Sequence, residues 1–133
     1  MTTDLWMLAY LTLFGIALQL PISLARMRVE GGIQWSLGNR DTELEVPAWI
    51  ARATRAQANH LVALACFAAL VLTAHVSGTA NEMTALMATV FFGLRVLYSV
   101  VYIAGIPTVR TVVWVVSQVC LVMIFLQLLG APP

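Results

Sequence analysis

Lysine is missing from this sequence of 133 residues, and all seven of its basic residues are arginine. Charge of either sign is scarce: 10% of residues are charged against 61% hydrophobic, and the mean hydropathy is +0.90. That composition lies well outside the range of soluble domains and excludes one. The net charge of +1 offers no basic surface for a polyanion, so no nucleic-acid partner is expected. The two cysteines, Cys66 and Cys120, fall inside apolar stretches, which excludes a secreted disulfide framework and leaves them as small packing residues. The two histidines, His60 and His75, belong to one stretch and stand roughly 22 Å apart by helix rise, so they cannot grip a haem or metal from opposite sides. No Cys/His cluster has metal-ligand spacing, and no metal is expected.

What the chain does have is four long apolar runs, over roughly residues 5–25, 48–76, 83–104 and 107–129. Each approaches or exceeds the ~20 residues a spanning helix needs. Lipid supplies no partner for a free backbone group, so only helices or a closed barrel can span it, and unbroken apolar runs lack the alternation of a barrel. The reading is all-α: a four-helix integral membrane bundle forming one domain over residues 1–133. The start "MTTDLWMLAY" carries Asp4 and no basic residue, and no small-residue cleavage site follows, so the first run is expected to remain as a helix. Pro21 predicts a kink near its end.

Arg26, Arg28 and Arg40 lie in the first connection, residues 27–47 or its edge, Arg52 and Arg55 follow it, and Arg110 borders the third. The termini and second connection show only Asp4 and Glu82. By the positive-inside rule, the first and third connections face the cytoplasm.

Within the runs the polar residues are patterned. Arg52, Arg55, Asn59, Val62 and Cys66 follow one another by three or four and share one helix face, while Gln57 and His60 point elsewhere. Arg95, Tyr98 and Tyr102 repeat that spacing in the third run, so two polar stripes can face each other. Arg95 lies about eight residues from its nearest helix end, too deep to reach water easily, and an unpaired arginine there costs at least ~2.5 to 3.5 kcal/mol. All six carboxylates (Asp4, Glu30, Asp41, Glu43, Glu45 and Glu82) lie at helix ends or in the loop. The imbalance calls for an anion, and a ligand with carboxylate or phosphate groups suits arginine's planar fork. Arg110 near a helix start opposes the macrodipole and asks for the same. Simpler roles stay open: topology anchors for Arg52 and Arg55, interhelical hydrogen bonding for Asn59, packing for the two tyrosines.

The segments "RATRAQANHL" and "FFGLRVLYSVVYIAGIPTVR", with "GNRD" in the first loop, resemble the MAPEG family, the membrane-associated proteins of eicosanoid and glutathione metabolism, and in particular its short bacterial members. The resemblance covers nearly the whole chain. It implies a homotrimer in the bacterial inner membrane, surrounded by membrane lipid, with glutathione as co-substrate bound between subunits and a lipophilic second substrate. The implied activity is glutathione transferase or peroxidase chemistry on electrophiles or hydroperoxides. Carried over by position, Arg26, Arg52, Arg55, Gln57, Asn59, Arg95 and Tyr98 are the implied glutathione-binding residues. Arg110, with Tyr102 beside it, is implied in activating the thiol. The chain departs from the family pattern at Val62 and Ala65, where glutamate and proline are usual. The alternative is a non-catalytic relative that binds a lipid or anionic metabolite. A proton-coupled exporter would need a titratable carboxylate within the membrane, and none lies centrally in any run.

Overall fold

A computed structural model describes residues 1–130; residues 131–133, the end of the expected domain, lie outside the described residues. The described chain is all helical, with α1 over Thr3–Met27, α2 over Gly32–Leu37, α3 over Ala48–Val76, α4 over Glu82–Ala104 and α5 over Pro107–Leu128. Four of these are long and apolar enough to cross a membrane. The four expected spans are therefore present, their ends within about two residues of the sequence reading. The loop expected over 27–47 is not wholly irregular: it contains α2, a helix of six residues entered through Gly31 at φ 71°. So short a helix presents less than one full heptad, and its apolar residues give no periodic signal. Pro21 lies inside α1 without ending it.

The helix ends are set by local chemistry. Asn81 caps α4, its Oδ1 accepting from the N–H groups of Met83 at 2.8 Å and Thr84 at 3.0 Å, while Thr84 Oγ1 accepts from the Asn81 N–H at 2.9 Å. This reciprocal pair satisfies donors that lipid would leave bare. Its amide nitrogen donates to Gln127 Oε1 on α5 at 3.0 Å, and Asp4 of α1, almost fully buried, lies beside Thr84. At the other end, Gly105 closes α4 in the left-handed region at φ 81°, and the N–H groups of Gly105 and Ile106 return to Val101 O. Pro107 then opens α5, where its missing N–H costs nothing.

α4 packs against α1, α3 and α5, and α3 also touches α1 and α5; α2 lies only on α1. Small residues of α3 and α4, Ala63 and Ala88, admit the larger Phe67, Phe91, Leu11, Val71, Leu121 and Ile124 into one core. Phe67 and Phe91 stack with centroids 4.7 Å apart. The outward faces carry Leu13, Ile16, Leu20, Leu61, Val112, Val119 and Val122, an apolar surface suited to lipid. Cys120 lies in the core, whereas Cys66, expected to pack, faces outward. Both thiols are free.

α1 and α3 are locked by two polar side chains of α3. His60 Nε2 lies 3.1 Å from Leu11 O, and Gln57 Nε2 donates to Gly15 O at 3.1 Å. Gly15 permits this approach: a Cβ there would stand 2.8 Å from His60 Nε2. Replacing Gly15 with Val should drive α1 away from His60 and cost about 1 to 3 kcal/mol through overpacking. Thermal unfolding in detergent checks this, and His60→Ala in the Gly15→Val background should restore part of the loss by freeing the space.

Candidate functional site

The α4–α5 turn sets the geometry of the site. Because Gly105 reverses the chain within two residues, the C-terminal turns of α4 and the first turns of α5 stand side by side, with α3 alongside. α4 contributes Tyr98 and Tyr102, one turn apart, and α5 contributes Arg110, Thr111 and Trp114. With Asn59 of α3 these six residues line one cavity of about 280 Å³. The two tyrosine rings meet edge to face at 5.6 Å. The Arg110 guanidinium lies 4.7 Å from the Tyr102 ring centroid, which holds the cation by its attraction to the ring face.

Arg95 is placed behind this cavity rather than on it. It is fully buried, 0% exposed, and donates from Nη2 to Asn59 Oδ1 at 2.8 Å. Its guanidinium also covers the Tyr98 ring, 4.4 Å from the centroid. The anion expected against Arg95 is replaced within the chain by a neutral amide oxygen and an aromatic face. Among the described residues its Nε and Nη1 find no hydrogen-bond partner. The predicted meeting of two polar stripes is present in the Asn59–Arg95 bond, and a second link joins the same helices: Arg52 Nε donates to Ile103 O at 2.9 Å, its guanidinium packed on Gly105.

The remaining expected site residues lie elsewhere. Arg26 and Arg55 line a different cavity, of about 320 Å³, with Trp35, Glu43 and Thr54. Arg26 donates to Thr54 Oγ1 and stands 6.0 Å from the Trp35 ring. Gln57 faces α1, its nitrogen committed to Gly15, so within one subunit it does not approach the Arg110 cavity. Val62 is 66% exposed and lies outside both cavities. Sequence reasoning passed over Trp114 and Thr111; the signal was available, since Trp114 stands four residues from Arg110 and must share its face. Among the described residues no group of His, Cys, Asp and Glu comes together as a metal site.

Four membrane-length helices, a loop helix against the first, and a cationic and aromatic cavity at one end of the bundle define an integral membrane protein of the small four-helix class. The family model for the MAPEG family matches residues 6–130. The chain belongs to the MAPEG family. No curated protein sequence and no solved structure matches it significantly.

The link through Arg52 generates a prediction. Arg52→Ala leaves the Ile103 carbonyl without its charged donor and opens space against Gly105, which should cost about 1.5 to 3 kcal/mol. Arg52→Lys, which keeps a cation but not the fork, should lose less. Unfolding in detergent, monitored by circular dichroism, measures both.

Proposed function

We propose that this protein is a membrane-bound glutathione transferase or peroxidase that acts on lipophilic electrophiles or hydroperoxides. The observation that carries this reading is the convergence of Asn59, Tyr98, Tyr102 and Arg110 on one cavity at the start of α5. A thiol is a nucleophile only as thiolate. A fixed guanidinium and the positive end of α5 both favour the thiolate of a peptide whose sulfur points at Arg110. Each unit by which the thiol pKa falls is worth about 1.36 kcal/mol.

In the transferase step the thiol proton leaves to water at the mouth of the cavity. The sulfur then forms a bond to the electrophilic carbon while that carbon's bond to its leaving group breaks. With a hydroperoxide, the thiolate attacks the outer oxygen and the alcohol departs. The sulfenate so formed takes up a proton from water at the mouth of the cavity, and the sulfenic acid condenses with a second glutathione to give disulfide and water. The lipid-facing walls of α4 and α5 give a lipophilic substrate a path to the sulfur.

The separation of Arg26 and Arg55 from Arg110 has a place in this reading. Neighbouring copies in a homotrimer would bring the arginine pair of one subunit to the cavity of the next, so that the peptide is held from both sides. The helix order puts the C-terminus of α1, the N-terminus of α3 and the α4–α5 turn at one end of the bundle, together with six of the seven arginines. By the positive-inside rule that end, and the site, would face the cytoplasm, and a bacterial inner membrane is the setting this reading gives it.

One observation favours a second reading. Among the described residues no carboxylate lines the Arg110 cavity, and a relative that binds an anionic metabolite or lipid without turning it over would have the same lining. Glutathione binding and turnover of a generic aromatic electrophile by detergent-purified protein separate the two: an enzyme shows both, a binding protein shows no turnover.

Two outcomes are expected. Native mass spectrometry in mild detergent should give the mass of three chains, and a monomer under several mild conditions would remove the shared site. Arg110→Ala should lower turnover by roughly ten- to a thousandfold with a smaller change in glutathione affinity, because thiolate stabilisation counts most along the reaction path. Unchanged turnover in a folded Arg110→Ala protein would take this residue out of the mechanism.

A further inference from the structure

Donors dominate the polar groups that face the α3–α4–α5 cavity. Arg95, like any guanidinium, has donors and no acceptor. Its bond to Asn59 Oδ1 therefore fixes the amide: the oxygen is turned to the interior, and the nitrogen is what Asn59 has left for the cavity it lines. The opposite orientation would set donor against donor and strip Arg95 of its only hydrogen-bond acceptor, although its Nε and Nη1 already have none. Around the same space, Arg110 adds a permanent cation, Trp114 an indole N–H, and Tyr98 and Tyr102 hydroxyls that can donate, while the Thr111 hydroxyl donates to Pro107 O at 3.0 Å. Among the described residues neither a carboxylate side chain nor a histidine lines it. Val62, nearly one turn beyond Asn59, brings no acceptor and faces outward.

We propose that Arg95 is a positioning residue that locks Asn59 as a hydrogen-bond donor, making the cavity a site for anionic, acceptor-rich groups whose lining gives an amine no carboxylate. The inference rests on the glutathione reading above and narrows it. The cavity holds carboxylate, carbonyl and thiolate groups, and the peptide's ammonium meets no carboxylate of its lining. Beside Arg110, with no carboxylate to offset the repulsion, an ammonium is a cost.

The test uses the whole protein in mild detergent and a matched pair of probes: glutathione, and glutaryl-cysteinyl-glycine, the same skeleton with hydrogen in place of the amine. Calorimetric titration should show the amine-free peptide binding as tightly as glutathione or more tightly. Asn59→Asp, which turns a donor into a carboxylate that still pairs with Arg95, should weaken that binding roughly tenfold or more. Arg95→Lys keeps a donor for Asn59 Oδ1 and should retain part of the affinity, whereas Arg95→Met frees the amide to rotate and should match Asn59→Ala. A tenfold preference of the wild type for glutathione, unchanged affinity in Asn59→Asp, or equal losses in Arg95→Lys and Arg95→Met overturns the proposal. If neither peptide binds, the glutathione reading falls, and thermal unfolding decides the lock independently. Arg95→Met combined with Asn59→Leu should lose clearly less stability than the two single replacements summed, since both polar partners leave together. Additive losses would show that no lock exists.

Discussion

A guanidinium sealed inside an apolar bundle, with no carboxylate to balance it, is the constraint on which the site depends. Arg95 has two supports, the Asn59 amide oxygen and the face of Tyr98. Neither is charged, and each is therefore committed to the cation. The consequence is rigidity passed from α4 to α3: Asn59 cannot turn, and Tyr98 cannot leave the ring position that Tyr102 meets edge-on. Replacing one support would expose a buried cation to lipid-like surroundings, where it is expensive. The interior cation thus fixes the wall of the cavity without touching what lies in it.

The two ends of the bundle use their polar residues differently. At the Asn81 end, the cap of α4, the amide oxygen of Gln127 and the carboxylate of Asp4 tie α1, α4 and α5 together. At the other end, Arg110 has an aromatic neighbour and no anion, and Arg55 is exposed. Hydrogen bonds that are complete stabilise a membrane bundle, because lipid gives the unfolded ends no alternative partner. Cations left incomplete invite a ligand. The proposed function belongs to the end where the polar groups are unspent.

The α1–α3 contact shows how the same helix can serve both purposes. Gln57 and His60 face α1 and are used up on the Gly15 and Leu11 carbonyls, while Asn59, between them in sequence, faces α4. One residue along a helix is a turn of about 100°. Within four positions α3 therefore presents a structural lock on one side and a cavity wall on the other.

By itself the sequence determined the membrane setting, the four spans and two polar stripes able to face each other, because each follows from a quantity that is local or periodic: run length, hydropathy, and spacings of three and four; the family was legible as a resemblance of whole segments. It also placed Tyr98, Tyr102 and Arg110 close together, since two tyrosines a turn apart lead into a Gly-Ile-Pro reversal that stops one helix and starts the next. Only the tertiary structure decided which arginines share a cavity. Arg52, Arg55 and Arg95 are alike in type and each sits on a polar stripe, yet one braces the Ile103 carbonyl, one lines a second cavity with Trp35, and one is sealed behind Asn59. Helical spacing gives the direction a side chain leaves its own axis; it does not say how close the neighbouring helix stands. That distance is set by Gly15 against His60 and by the small residues Ala63 and Ala88 in the core, and it decides whether a long cation reaches a carbonyl, a cavity or an interior amide.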